Sequence, residues 1–188
     1  LNMDLIRKNI GDIKEIDIII SSGAWKGVYF VGAYEILKYV FEQLNIKIAS
    51  IHSCSVGSFC GVYSLANPSI EKWIDLFIFY KSLSNKPLDK KKEIIDFFNN
   101  NISKDLYKNC NQTLNIYLSK INKNKKITQH CFNTFENNKN LINICIGSST
   151  IPLITSSSLF YVYNKNRYID GAFTNRVPIP NNINKKII

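Results

Sequence analysis

The apolar positions change period along the chain. Ile46, Ile48 and Ile51 are spaced as in a short buried strand. Phe59, Val62, Tyr63 and Ala66 follow at offsets of 3, 4 and 7, as on one face of a helix. Upstream, residues 16–20 (IDIII) are rich in β-branched residues and predict a central parallel strand buried on both faces. Val31, Tyr34, Leu37 and Phe41 recur at 3 and 4 and predict a helix over 28–44, with Asn45 as its stop. Residues 1–14 read as a loose or helical leader. The first 66 residues therefore read strand, loop, helix, strand, tight turn, helix, which is a right-handed βαβ unit with a further helix behind it.

The next stretch has a different texture. Asn67-Pro68-Ser69 ends one helix and caps another, which carries Trp73, Phe77 and Tyr80 on one face. Pro87 breaks the chain, and Ile94, Ile95, Phe97 and Phe98 mark a short helix. Ser103 can cap a longer helix bearing Leu106, Cys110, Leu114, Tyr117 and Ile121, and residues 127–132 read as a strand. The spacing thus predicts a helical insert over 67–140 that covers the sheet of a single domain, 1–188. After residue 141 a short apolar segment and a Ser-rich turn reach Pro152. Residues 159–163 and 167–169 then read as a hairpin around Asn164-Lys165-Asn166, delivering Asp170-Gly171-Ala172.

Composition narrows the class. A chain of 188 residues with 45% hydrophobic and 12% aromatic content can bury a sizeable core. No apolar run approaches the ~20 residues of a membrane span, and the first residues lack the apolar core of a secretion signal. Five cysteines (54, 60, 110, 131, 145) are scattered, with no C-x-x-C pair, which favours reduced thiols over a disulfide framework or a zinc site. These features lead to the expectation of a cytoplasmic or peripheral membrane protein. The net charge of +10 predicts attraction to an anionic partner. Nucleic-acid binding would rest on that charge alone, since no recognisable module is present.

Ser53-Cys54-Ser55-Val56-Gly57 lies between the predicted strand and helix and nearly matches G-x-S-x-G. That pattern puts a serine on a sharp strand-to-helix turn with its hydroxyl exposed, and small flanking residues let the backbones approach. The competing reading is a Ser-rich turn with a Ser N-cap. Serine needs a positioned base to act as a nucleophile, and acyl transfer needs N–H donors aimed at the developing oxyanion. Ser22-Gly23-Ala24-Trp25-Lys26-Gly27, a turn of mostly small residues before a helix, can supply such donors. Only His52 and His130 are present, and neither follows Asp170, so the chain cannot offer the usual order Ser, Asp, His. The sequence therefore points to a base other than His, and a carboxylate can serve. A dinucleotide site would need G-x-G-x-x-G and an acid at the end of the second strand, and a P-loop would need Lys-Ser or Lys-Thr; neither pattern occurs.

The ordered set of blocks resembles the patatin-like phospholipase family. That family's pattern is G-G-G-x-[KR]-G, then G-x-S-x-G, then D-G-[GA] followed by N-x-P. Here the blocks are Ser22 to Gly27, Ser53 to Gly57, and Asp170-Gly171-Ala172 followed by Asn175-Arg176-Val177-Pro178. The run Gly147-Ser148-Ser149-Thr150-Ile151-Pro152 resembles the family's A-S-x-x-I-P segment. The resemblance implies a three-layer α/β/α fold with a mostly parallel central sheet and a lipid acyl hydrolase of phospholipase A or lysophospholipase type. It implies Ser55 as nucleophile, Asp170 as its dyad partner and the backbone around Gly23 and Ala24 as oxyanion hole, with no metal or cofactor. Ser22, Ala24 and Ser53 stand where the family has glycine, and a Cβ at a positive φ costs roughly 1 kcal/mol. The chain stops 18 residues after Asp170. That is earlier than the resemblance leads one to expect, and the final Lys-Lys-Ile-Ile reads as the start of a strand cut short.

The competing class is a protein of the same fold that binds lipid or a protein partner without efficient catalysis. Expected partners are a phospholipid or other acyl lipid and an anionic membrane surface, with no nucleic acid. Lys86, Lys90, Lys91 and Lys92 flank Pro87 beside Trp73, Phe77, Phe79 and Tyr80, which makes this insert the candidate for membrane contact.

Overall fold

The computed structural model describes residues 3–179, without the side chains of Ile10, Trp25, Val28 and Val31. The final Lys-Lys-Ile-Ile lies outside the described residues. Among the described residues the architecture is α/β, a six-stranded mixed sheet with seven helices, consistent with a three-layer α/β/α fold.

Helix α1 (Met3–Ile10) precedes strand β1 (Glu15–Ile20), and a 3-10 turn (Ala24–Gly27) leads into α2 (Val28–Leu44). Asn45 ends α2 at φ 55° and ψ 43°, a left-handed conformation that asparagine tolerates, while Ile46 N–H closes on the Phe41 carbonyl at 2.9 Å. Strand β2 (Lys47–Cys54) and α3 (Val56–Leu65) follow with Ser55 alone between them. This half of the chain follows the apolar pattern closely. The exception is β1, which forms the edge of the sheet among the described strands rather than its centre. Ile16, Ile18 and Ile20 are buried while Asp17 and Ile19 are half-exposed, so the β-branched run concealed an alternation with one outward face.

The insert departs further from expectation. Helices α4 (Ile70–Asn85), α5 (Lys91–Asn101) and α6 (Leu106–Cys110) are present, but α6 ends at Cys110. Leu114, Tyr117 and Ile121, expected on that helix, lie on strand β3 (Leu114–Ile121). Leu114, Ile116 and Leu118 alternate while Leu114, Tyr117 and Ile121 fit a helical spacing, so the local pattern satisfied both periods. Tertiary contacts decide between them. Gln112 adopts φ 65°, and Asn111 Oδ1 accepts from Phe135 N–H at 2.6 Å, which turns the chain into the sheet. Strand β4 (Ile127–Phe132) forms as expected. The short apolar segment expected from Leu141 is part of helix α7 (Asn138–Ser148), which begins inside the expected insert; the Asn137 side chain caps it, accepting from Asn140 N–H at 2.8 Å. The hairpin β5 (Tyr161–Tyr163) and β6 (Asn166–Ile169) forms around Asn164 and Lys165.

Strands β1, β2 and β3 are parallel, β4 and β6 pair with β3 antiparallel, and β5 pairs with β6 antiparallel. The pairings along β3 set the site. β4 pairs with 116–121, so β2, on Leu114–Tyr117, and β6, on Ser119–Ile121, share the opposite edge of β3. Cys54 at the end of β2 lies across from Tyr117, and Ile169 at the end of β6 lies across from Ser119. Two strands thus run towards each other along one edge and stop with a single β3 residue between their ends.

Candidate active site

The next residue on each converging strand is Ser55 on one side and Asp170 on the other. Ser55 Oγ donates to Asp170 Oδ2 at 2.6 Å, and both side chains are buried. Ser55 sits at φ 55° and ψ −136°, a sparsely populated region that only a supported tight turn holds. Three contacts supply that support. Its N–H donates to Ser148 Oγ at 2.9 Å, and its carbonyl accepts from Ser58 Oγ at 2.6 Å and Ser58 N–H at 3.0 Å. Gly57 allows the close approach, because a Cβ there would stand 2.5 Å from the Ile20 carbonyl oxygen at the end of β1.

Asp170 is 2% exposed. Its N–H donates to the Thr150 carbonyl at 2.8 Å, and its Oδ1 accepts from Ala172 N–H at 2.8 Å. Burial raises its pKa from the ordinary carboxylate range, and the bonds from Ser55 and Ala172 oppose the rise. Gly171 is required where it stands, since a Cβ would clash with the Tyr117 carbonyl oxygen of β3. The segment after this turn then closes the site: Ser22 N–H donates to the Arg176 carbonyl at 3.3 Å, and Cys54 Sγ lies 3.7 Å from the Asn175 carbonyl.

The first loop stands beside this pair. Gly23 and Ala24 follow β1, and among the described residues their N–H groups have no acceptor. Ala24 holds φ 44° and lines the same cavity as Ser55. Trp25 and Lys26 lie in the 3-10 turn, with Lys26 exposed, and Gly27 is buried at the start of α2. The backbone cost expected at Ser22, Ala24 and Ser53, where the family pattern has glycine, falls on Ala24 alone. Ser53 is inside β2, with its Oγ 3.4 Å from the Asn115 carbonyl, and neither it nor Ser22 has a positive φ. The histidines are elsewhere. His52 Nδ1 lies 2.9 Å from Tyr117 Oη, and the His130 ring packs on Phe132 and Tyr168. Burial lowers the pKa of both.

A cavity of about 360 Å³ opens from Ser55. Its walls are mostly apolar, with Phe59 and Phe98 from α3 and α5, Leu83 from α4 and Ile146 from α7. Of the aromatics beside the lysine cluster, Trp73 is fully buried and donates its Nε1–H to Glu35, while Phe79 and Tyr80 line this cavity. The Lys86–Lys92 segment carries Lys90 and Lys91 to the cavity's edge. Among the described residues, no group of three or more His, Cys, Asp or Glu is placed to hold a metal, and no helix is long and apolar enough to cross a membrane.

Ser148 is the participant that motif reading did not single out. It is fully buried, accepts from Ser55 N–H and donates to the Tyr117 carbonyl at 2.7 Å. The one available signal was its place in the Gly147 to Pro152 run.

A sequence profile of the patatin-like phospholipase family matches residues 18–182, from β1 through the segment beyond Asp170. The chain belongs to the patatin-like phospholipase family. That family comprises lipid acyl hydrolases, and the matched span contains each block discussed above. No curated protein matches the chain.

Proposed function

We propose that this chain hydrolyses acyl esters of phospholipids or related acyl lipids through Ser55 and Asp170. The observation that carries the reading is the 2.6 Å hydrogen bond from Ser55 Oγ to Asp170 Oδ2 at the head of an apolar cavity. Ser55 Oγ attacks the ester carbonyl carbon as its proton passes to Asp170 Oδ2. The N–H groups of Gly23 and Ala24 donate to the oxyanion. The C–O bond to the alcohol then breaks, and the alcohol leaves with the proton from Asp170. Water attacks the acyl-enzyme, giving its proton to Asp170, and the fatty acid departs as Ser55 regains a proton. Burial supports the base role, since a carboxylate whose pKa is raised is a stronger proton acceptor.

The test is labelling by a fluorophosphonate, read by intact mass, together with hydrolysis of a soluble aryl ester. Wild type should gain one adduct that Ser55→Ala does not. Ser55→Ala and Asp170→Asn should each abolish hydrolysis, non-additively, because the two groups act as a unit. His130→Ala should change the rate little. Loss of activity in His130→Ala equal to that in Ser55→Ala, with folding intact, refutes the Ser–Asp assignment.

A further inference from the structure

We infer that the face around the cavity mouth, built by the α4–α5 and α7–β5 loops, seats the protein on an anionic lipid bilayer. The inference takes the cavity's contents from the hydrolase reading above, but the binding it describes needs no catalysis.

Four cavity-lining residues, Ala24, Asp89, Lys91 and Ile154, are themselves exposed, and they mark the mouth. Large apolar side chains stand exposed on the same two loops: Leu153 at 71%, Leu159 at 61%, Ile154 at 52% and Leu88 at 47%. Single exposed apolar residues are ordinary on protein surfaces, but here they flank the opening of an apolar cavity. The two loops are also tied together. Asp89 N–H donates to the Thr155 carbonyl at 3.1 Å, and Ser157 N–H donates to Asp89 Oδ1 at 2.9 Å. Leu153 holds φ 62° and Asp89 φ 56°, left-handed conformations that persist only where surrounding structure enforces them. The result is a fixed platform that presents leucines outward.

Its charge selects the partner. Residues 86–93 carry Lys86, Lys90, Lys91 and Lys92 against Asp89 and Glu93, and residues 151–160 carry no charge. Lys90 pairs with Glu93 at 2.7 Å, and Lys91 stands over the Tyr161 ring at 5.1 Å. A cationic rim around exposed leucines fits an interface where apolar side chains enter the acyl layer and lysines meet anionic headgroups. It also puts the cavity mouth against the phase that holds an acyl chain. The outer face of α4 exposes Ile70, Ile74 and Ile78 too, but none of these lines the cavity, so it serves as the comparison.

Co-sedimentation with phosphatidylcholine vesicles, with and without phosphatidylglycerol, tests the assignment. Wild type and Ser55→Ala should bind equally, more tightly to the anionic vesicles and more weakly in salt. Leu153→Ser combined with Leu159→Ser should lower the partition coefficient roughly tenfold or more. Lys86→Glu combined with Lys92→Glu should lower it roughly fivefold per charge removed, on anionic vesicles only. Both double variants should keep wild-type thermal midpoints and hydrolysis of a soluble short-chain ester, and Ile74→Ser should bind as wild type. The inference is overturned if wild type does not bind, if the leucine variant binds like wild type, or if Ile74→Ser loses as much. Binding without any esterase activity would refute the hydrolase reading and leave this one standing.

Discussion

Ser148→Ala is the sharpest probe of how the elbow is held. The substitution removes one hydroxyl that serves two buried backbone groups: it accepts from Ser55 N–H at 2.9 Å and donates to the Tyr117 carbonyl at 2.7 Å. Ser148 has no exposed surface, so solvent does not replace either bond without rearrangement. Leaving a buried polar group unsatisfied costs about 1–3 kcal/mol, so two such groups put the loss at about 2–6 kcal/mol. For a chain of this size that is a fall of roughly 4–24 °C in the midpoint of thermal unfolding. The catalytic effect should be separate. Ser55 holds its strained φ of 55° partly through that N–H, and a misplacement of ~1 Å costs on the order of 10²-fold in rate. Ser58→Ala is the internal comparison, because Ser58 Oγ and Ser58 N–H both donate to the Ser55 carbonyl and the second bond survives the substitution. It should cost only about 1 kcal/mol. Thermal denaturation and kcat/KM on a soluble aryl ester read the two effects. If Ser148→Ala is no more damaging than Ser58→Ala in both measurements, the clamp argument is wrong.

Two further outcomes follow from the site. Asp170 has a folded-state pKa raised by burial, so the folded protein binds more protons than the unfolded chain between about pH 4 and that raised value. Its contribution to stability is present at low pH and lost as pH rises; the advantage of Asp170→Asn in thermal midpoint should therefore grow from pH 4 to neutrality, and a flat difference would contradict the burial effect. Ala24→Gly removes the Cβ from the one position of Ser22, Ala24 and Ser53 that is left-handed, φ 44°, and should preserve or raise kcat/KM. A loss of activity with unchanged folding would show that the Ala24 methyl shapes the cavity mouth.

Much of the fold was legible where local physics and tertiary structure agree. The helix Val28–Leu44 and its stop at Asn45 follow from spacing and from the left-handed tolerance of asparagine. The Ser55 elbow and the β5–β6 hairpin followed from apolar runs interrupted by turn residues. Strand β3 was not legible, because Leu114, Tyr117 and Ile121 fit a helical face while Leu114, Ile116 and Leu118 fit an alternating one. Partners distant in sequence decide between the two: β2 and β6 along one edge and β4 along the other. The edge position of β1 was hidden in the same way, since β-branched residues fill both faces of a strand without saying which face is covered. Ser148 escaped notice because its role is to satisfy one particular N–H ninety-three residues away in the chain.

The strand that local pattern could not identify explains why the blocks it did identify converge. β2 and β6 reach the same edge of β3 from opposite directions, so the residue after each must leave the sheet where the other ends. A strand end has free backbone groups that need partners. On the β2 side Ser55 N–H finds Ser148 Oγ, and on the β6 side Asp170 N–H finds the Thr150 carbonyl; both acceptors come from the end of α7 and the turn after it. One short segment, 148–150, therefore sets the backbones of both Ser55 and Asp170, and Ser148 is tied in turn to the Tyr117 carbonyl of β3. The 2.6 Å contact between Oγ and Oδ2 does not depend on either loop alone. It follows from two strand ends abutting on a third strand and sharing one bracket. The Ser–Asp pair is buried and held by that bracket, whereas the cavity walls and the platform at its mouth come from separate elements, α4 and α5 among them.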